Sequence, residues 1–167
     1  MMGFVWSVDD SDVDQAMDRL INLLSPAGAS AFLAAEIGPY LSMRAKQRFG
    51  NEGDDAVGQW LPLAPATQAI REASNYPVAG DHPINRRSGE LEDWVVQGGW
   101  NAYPTGLGAS MQYPSRQPSG ELRKKVETAQ KGKPFPRTPP RPVLAVSETD
   151  MLFFLSAFSI AVEGAMR

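Results

Sequence analysis

The chain reads as an α+β domain with a small antiparallel sheet packed with N-terminal helices and an apolar C-terminal helix. Three observations lead there. Apolar residues recur at helical spacing over the first fifty positions, turn-rich and strand-like stretches fill the middle, and a nearly continuous apolar run, Met151 to Val162, follows a capping sequence near the end. At 167 residues the chain fits one domain, 1–167, able to bury a real core without a disulfide or metal staple.

Asp9-Asp10-Ser11-Asp12 places negative charge at a helix N-terminus, and Val13, Met17, Leu20 and Leu24 follow at helical intervals, so a first helix is expected over 11–24. Ser25-Pro26-Ala27-Gly28 breaks it. A second helix is expected from 29 to 48, bent at Gly38-Pro39, because proline removes an intrahelical hydrogen bond and its ring clashes with the preceding turn. Glu52-Gly53-Asp54-Asp55 reads as a solvated turn. The prolines of Leu61-Pro62-Leu63-Ala64-Pro65 force extended backbone, and Thr67 then opens a short helix ending near Asn75-Tyr76-Pro77.

Arg86-Arg87-Ser88-Gly89-Glu90 is expected to turn into a strand over Leu91 to Gln97, with Trp94 and Val96 on one face, and Leu107 to Tyr113 into a second. The connection 98–106 is turn-rich and long for a tight hairpin, which would leave Trp100 and Tyr103 exposed as candidate partner contacts. Residues 114–142 form a basic Pro/Gly-rich excursion with one short helix over Glu121 to Gln130. Ser147 then caps the last helix, 148–167, with Asp150 completing a capping box. Such a helix, apolar nearly all round, needs cover on more than one side, from its own sheet and from a neighbouring subunit.

Several classes of chemistry are disfavoured. There is no cysteine, which removes thiol catalysis and cysteine-ligated zinc. The single histidine, His82, lies in a turn-like sequence and is read as structural or solvent-exposed. Asp10, Asp12 and Asp14 imitate the start of a calcium loop, but Gln15 and Ile21 stand where it needs glycine and a bidentate glutamate. No phosphate-binding glycine loop, nucleophile elbow or metalloprotease helix is present. The expectation is no enzyme, no cofactor and no metal site. The N-terminus lacks a basic region followed by an apolar run, and the C-terminal apolar stretch is bounded by Asp150 and Glu163, too short to span a bilayer; no membrane association is expected, and the protein is read as starting in the cytoplasm.

Charge is distributed unevenly within a formal net charge of −3. Residues 1–18 carry five aspartates and no cation, whereas residues 116–141 carry eight Lys or Arg against two Glu. Arg123, Lys124, Lys125, Lys131, Lys133 and Arg137 are therefore candidate contacts to an acidic protein surface or, without sequence preference, to DNA phosphates. Phe135 is the lone aromatic among them, so base stacking is not expected.

The order of motifs from Arg48 onward carries more information than any one of them. Arg48-Phe49 ends a helix, Gly58-Gln59-Trp60-Leu61-Pro62-Leu63 follows, Thr67 opens a helix, Ser88-Gly89-Glu90-Leu91 makes a turn, and Pro139-Pro140-Arg141-Pro142-Val143-Leu144 precedes the last helix. This arrangement resembles the phage virion morphogenesis and tail-completion proteins, the Mu-like and P2-like group with relatives among siphophage head-tail joining proteins. The resemblance implies a structural virion protein of the neck, made in the host cytoplasm and placed at the head-tail junction or tail end. It implies a homo-hexameric ring and other neck and tail proteins as partners. A tail terminator or minor tail protein remains open, as does a non-virion binding module. Gly58, Trp60, Leu63, Thr67, Gly89, Leu91, Arg141 and Pro142 are the motif positions it singles out as structural.

Overall fold

The computed structural model describes residues 11–73, 84, 89–106, 108–133 and 138–167. His82, Ser88 and Arg137 lie outside them, as do the expected end of the short helix near Asn75-Tyr76-Pro77 and the first residue of the strand expected at Leu107.

Helix α1 spans Ser11–Leu24, with Asp12 and Asp14 in its first turn, where carboxylates favour the helix dipole. Ala16, Leu20 and Leu23 face inward and are half-buried, while Val13, Met17, Ile21 and Leu24 form a stripe left in solvent. The break after α1 is tighter than expected. Ser25 accepts a hydrogen bond from the Gly28 N–H and Pro26 sits in the first turn, so α2 begins at once and runs Pro26–Phe32, three residues earlier than the expected start.

The expected bend takes the form of a π-helical turn, Leu33–Ile37, before α3, Gly38–Asn51. The Gly38 N–H reaches back to the Leu33 carbonyl, and Pro39 has no N–H to offer the next one, that of Ala34. Trp100 fills the gap, its Nε1–H donating to the Ala34 oxygen at 2.9 Å. Its ring lies so close to Gly38 that a Cβ there would sit 2.4 Å from it.

After α3, β1 (Gly53–Asp54) pairs antiparallel with β2 (Gly58–Gln59). Helix α4 spans Pro65–Ala73, so it begins two residues before Thr67, which lies inside the first turn and does not open the helix. The largest correction concerns Leu91 to Gln97, which forms helix α5, Glu90–Gln97. Its buried residues, Leu91, Trp94 and Val95, stand at helical spacing, and Glu90, Glu92 and Asp93 load its first turn with negative charge. Trp94 and Val96 were expected to share a face; Trp94 is buried and Val96 only partly so.

The residues read as a connection form a strand instead. Strand β3 (Asn101–Thr105) pairs with β4 (Gly108–Gln112), Thr105 opposite Gly108, so just two residues separate the strands. This hairpin packs on α2, and α3 packs on α5. Helix α6, Gly120–Lys131, lies on α5 and buries Leu122 and Ala129, so the basic excursion contributes to the core. Lys133 and Thr138 form an isolated bridge beyond it.

Helix α7, Glu148–Ala165, starts with the expected capping box between Ser147 and Asp150. Asp150 is its only buried residue. Its packed neighbours are helices, where the sequence pointed to the sheet: Phe153 stacks on Tyr40 with ring centroids 3.8 Å apart, Phe158 meets Phe32 edge-on, and Arg19 of α1 donates to the Ala165 carbonyl. The hydrophobic core lies elsewhere, around Ala45, Phe49, Trp60, Trp94, Val95 and Val143. Among the described residues no single helix is long and apolar enough to cross a membrane. The architecture is α+β, with two small antiparallel sheets set among helices.

Candidate functional site

Residues far apart in sequence converge where α3 ends. Arg48, buried on the last turn of α3, donates from Nε to Asp54 at 2.8 Å and from its two terminal nitrogens to the Val143 and Ala145 carbonyls at 2.8 and 3.2 Å. Phe49, next to it, meets the ring of Trp60 edge-on with centroids 5.5 Å apart. The Trp60 indole N–H donates to the Pro142 carbonyl at 3.1 Å. Arg141 completes the ring of contacts, with Nε donating to the Leu61 carbonyl at 2.8 Å and Nη2 to that of Pro62 at 3.0 Å.

Two arginines thus satisfy carbonyls of irregular backbone that neither a helix nor a sheet can pair, which makes the 60–63 and 141–145 segments tolerable inside a packed protein. Burial pushes the Arg141 guanidinium below its ordinary value, reinforced by nearby Arg71 and opposed by Glu52. Leu63 packs on the core edge, Leu91 is buried and Pro142 half-buried. Gly58 and Gly89 have φ of +70° and +72°, a conformation that disfavours side chains. Thr67 and Gly58 are the exposed motif positions, and Thr67 makes none of these contacts.

A second polar cluster pins α7 to α3. Asp150 accepts from the Tyr40 hydroxyl at 2.7 Å, from Arg44 Nε at 2.8 Å and from the Ser147 backbone N–H at 2.8 Å. Burial alone raises a carboxyl, but the Ser147 backbone N–H, the Tyr40 and Ser147 hydroxyls and the Arg44 charge together hold Asp150 below the usual range. The same contacts raise Tyr40 to about 12, with burial the largest cause and the Asp150 hydrogen bond next. Arg44 also bridges to Asp55, whose carboxyl its hydrogen bond draws down to about 2, and to Asp54 at 3.5 Å. The 52–55 turn read as solvated is therefore an ion-paired corner, with Asp54 largely buried. Sequence inspection missed this cluster; Tyr40 and Arg44 one helical turn apart were its visible sign. Among the described residues no group of three or more acidic or histidine side chains could hold a metal ion.

The candidate partner contacts divide. Trp100 is committed to the α2–α3 bend and is half-buried, so it is not the exposed anchor expected; a hairpin in place of a long loop turns its ring inward. Tyr103, on β3, is exposed. Arg123, Lys124 and Lys125 are exposed on α6 but pair with Glu127, Glu121 and Glu90 respectively, which lowers the net charge that helix presents. The Lys124 contact holds the Glu121 carboxyl below its ordinary value. Lys131 and Lys133 are exposed at the helix end. That end is tied to the segment leading into α7: the Arg141 N–H donates to the Ala129 carbonyl and Gln130 Nε2 to that of Leu144.

Two unfilled concavities among the described residues are apolar. A groove of about 650 Å³ runs between α2 and α7, floored by the small residues Gly28, Ala31, Ala35, Ala157 and Ala161. A smaller dent of about 430 Å³ lies at the start of α7 between Val146, Met151 and Leu152. Around these the large apolar side chains of α1 and α7 stand in solvent. No family model matches the chain, and no curated protein and no solved structure matches it either.

Proposed function

We propose that this protein is a structural component of a tailed-phage neck, completing the tail end or joining the tail to the DNA-filled head as a subunit of a homo-hexameric ring. The observation that carries the reading is the outer surface of α1 and α7, where Val13, Met17, Ile21, Leu152, Leu155 and Ile160 are each more than half exposed. A patch of that kind marks an interaction surface, and helices so little buried are suited to an assembly that covers them. The motif order supports the same reading: Arg48, Phe49, Trp60 and Arg141 meet at one junction, so the resemblance follows a physical unit of the fold. The work is docking. The internal pairing of Arg123, Lys124 and Lys125 favours protein over DNA as the partner of the basic stretch.

Placement in the particle is the experiment. Antibody-gold labelling of purified virions is expected to mark the head-tail junction or the tail end, at the same position in every particle. Absence of the protein from purified, infectious virions would move the assignment to a non-virion binding module.

A further inference from the structure

We infer that strand β4 accepts an extended segment of a partner protein, which pairs antiparallel along its open edge and seats an apolar side chain in the concavity beside Met111.

The register fixes which backbone groups are open to such a segment. Thr105 opposite Gly108 closes a two-residue loop and exchanges both hydrogen bonds, and Tyr103 with Ser110 and Asn101 with Gln112 do the same at alternate positions. Between them, the N–H and C=O groups of Ala109 and Met111 point away from β3. Among the described residues these groups find no partner, although both residues are half-buried. An edge of this kind is ordinarily blunted by proline, charge or a bulge. Strand β3 is blunted: Pro104, opposite Ala109, removes the donor at its own outward position. Strand β4 runs Gly-Ala-Ser-Met-Gln and has neither proline nor charge.

The space beside this edge fits a single strand. A concavity of about 320 Å³ is bounded by Met111 and Tyr113, by residues 143–146, and by Leu41 and Ala45 of α3. Arg44 and Arg48, which also line it, are bound to Asp54, Asp55 and Asp150, so it offers an occupant no unmatched charge. Residues 143–146 form a wall and not a pairing strand, because the Val143 and Ala145 carbonyls accept from Arg48 and that of Leu144 from Gln130. In antiparallel addition the residue opposite Met111 exchanges two bonds with it and points its side chain to the same face, into this concavity. Its neighbours point to the opposite face. The segment recognised therefore alternates apolar and polar residues; main-chain bonds give affinity and the concavity gives selectivity. The β4 strand of a second copy does not fit, since it carries β3 on its other edge, and a hairpin two strand spacings wide, ~10 Å, would run into residues 143–146.

Fluorescence anisotropy with the purified full-length protein tests this, using two labelled seven-residue peptides of alternating threonine and valine with leucine at the centre. One is N-methylated on the leucine, whose N–H faces β4, and the other on the adjacent threonine, whose N–H faces away. The second is expected to bind with a Kd below about 1 mM and the first at least tenfold more weakly. Ala109→Pro removes an N–H that the hairpin does not use and should weaken binding roughly tenfold with helix content unchanged. Val146→Trp, at an exposed lining position, should do the same by narrowing the concavity. In hydrogen exchange the Ala109 and Met111 amides should be fast in the free protein and slowed by the threonine-methylated peptide. Absence of binding, equal binding of the two peptides, or indifference to Ala109→Pro overturns the proposal. So does protection of these two amides that rises with protein concentration in the absence of peptide, which would give the edge to a second copy. These outcomes do not depend on whether the protein lies in a phage neck.

Discussion

Asp150 stabilises the fold through hydrogen bonds and ion pairing that outweigh the cost of burying a carboxylate, and this has a pH signature. Its folded value is depressed, so its contribution is present above the unfolded value near 4 and is lost as pH falls through the folded value. Tyr40 runs the other way: raised to about 12, it contributes fully below the unfolded value near 10 and loses its contribution as pH rises toward 12. Stability to denaturant should therefore be flat between about pH 4 and 10 and fall on both sides. Asp150→Ala leaves Arg44 and Tyr40 without their shared acceptor and is expected to cost about 3 kcal/mol at neutral pH, with a shallower acid limb, read from urea midpoints. Trp60 separates packing from polarity. Trp60→Phe keeps the contact with Phe49 but loses the bond to the Pro142 carbonyl, about 1–2 kcal/mol, whereas Trp60→Ala should cost about 3–5 kcal/mol. Both anchors were visible in the sequence, Trp60 through its motif and Asp150 through the capping box. The partners of Asp150 on α3, a hundred residues away in the chain, were not, because no local rule links positions that only the fold brings together.

Element boundaries show what local pattern resolves. Helices α1, α6 and α7 fall within two residues of the expected spans, because caps and helical periodicity are local signals. Helix α5 was read as a strand, since Trp94, Val95 and Val96 carry strand propensity; the burial of Leu91, Trp94 and Val95 at i, i+3 and i+4 shows that position relative to the core decided. Strand β3 was missed because Pro104 and the flanking glycines read as turn. Tertiary packing overrides that: with α2 covering the hairpin, Trp100 reaches the carbonyl that the π-turn and Pro39 leave open. Two substitutions test the joint. Gly38→Ala drives a Cβ into the indole and should cost about 1–3 kcal/mol. Trp100→Phe keeps an aromatic ring but orphans the Ala34 carbonyl and should cost about 1–2 kcal/mol, in both cases as a shift in urea midpoint.

At the scale of the whole molecule the protein has an interior and an unfinished exterior. The interior gathers α3, α5, α6 and the 141–145 segment around Phe49, Trp60, Trp94 and Val143. Outside it, α7 buries one residue and α1 none. Amide exchange should follow this division, with α3 and α5 the slowest and α1 with the second half of α7 the fastest in the isolated chain; assembly should protect the latter two. The apolar run of α7 is legible in the sequence, and in the fold much of it stays exposed. The groove between α2 and α7 is not, because a concavity depends on how separate segments meet.

A role in the neck of a phage particle is tested by electron microscopy of particles made by a phage lacking this gene. DNA-filled heads lying beside separate tails of normal length are expected. Tails of uncontrolled length would instead mark a tail terminator, and intact infectious virions would contradict the neck assignment altogether.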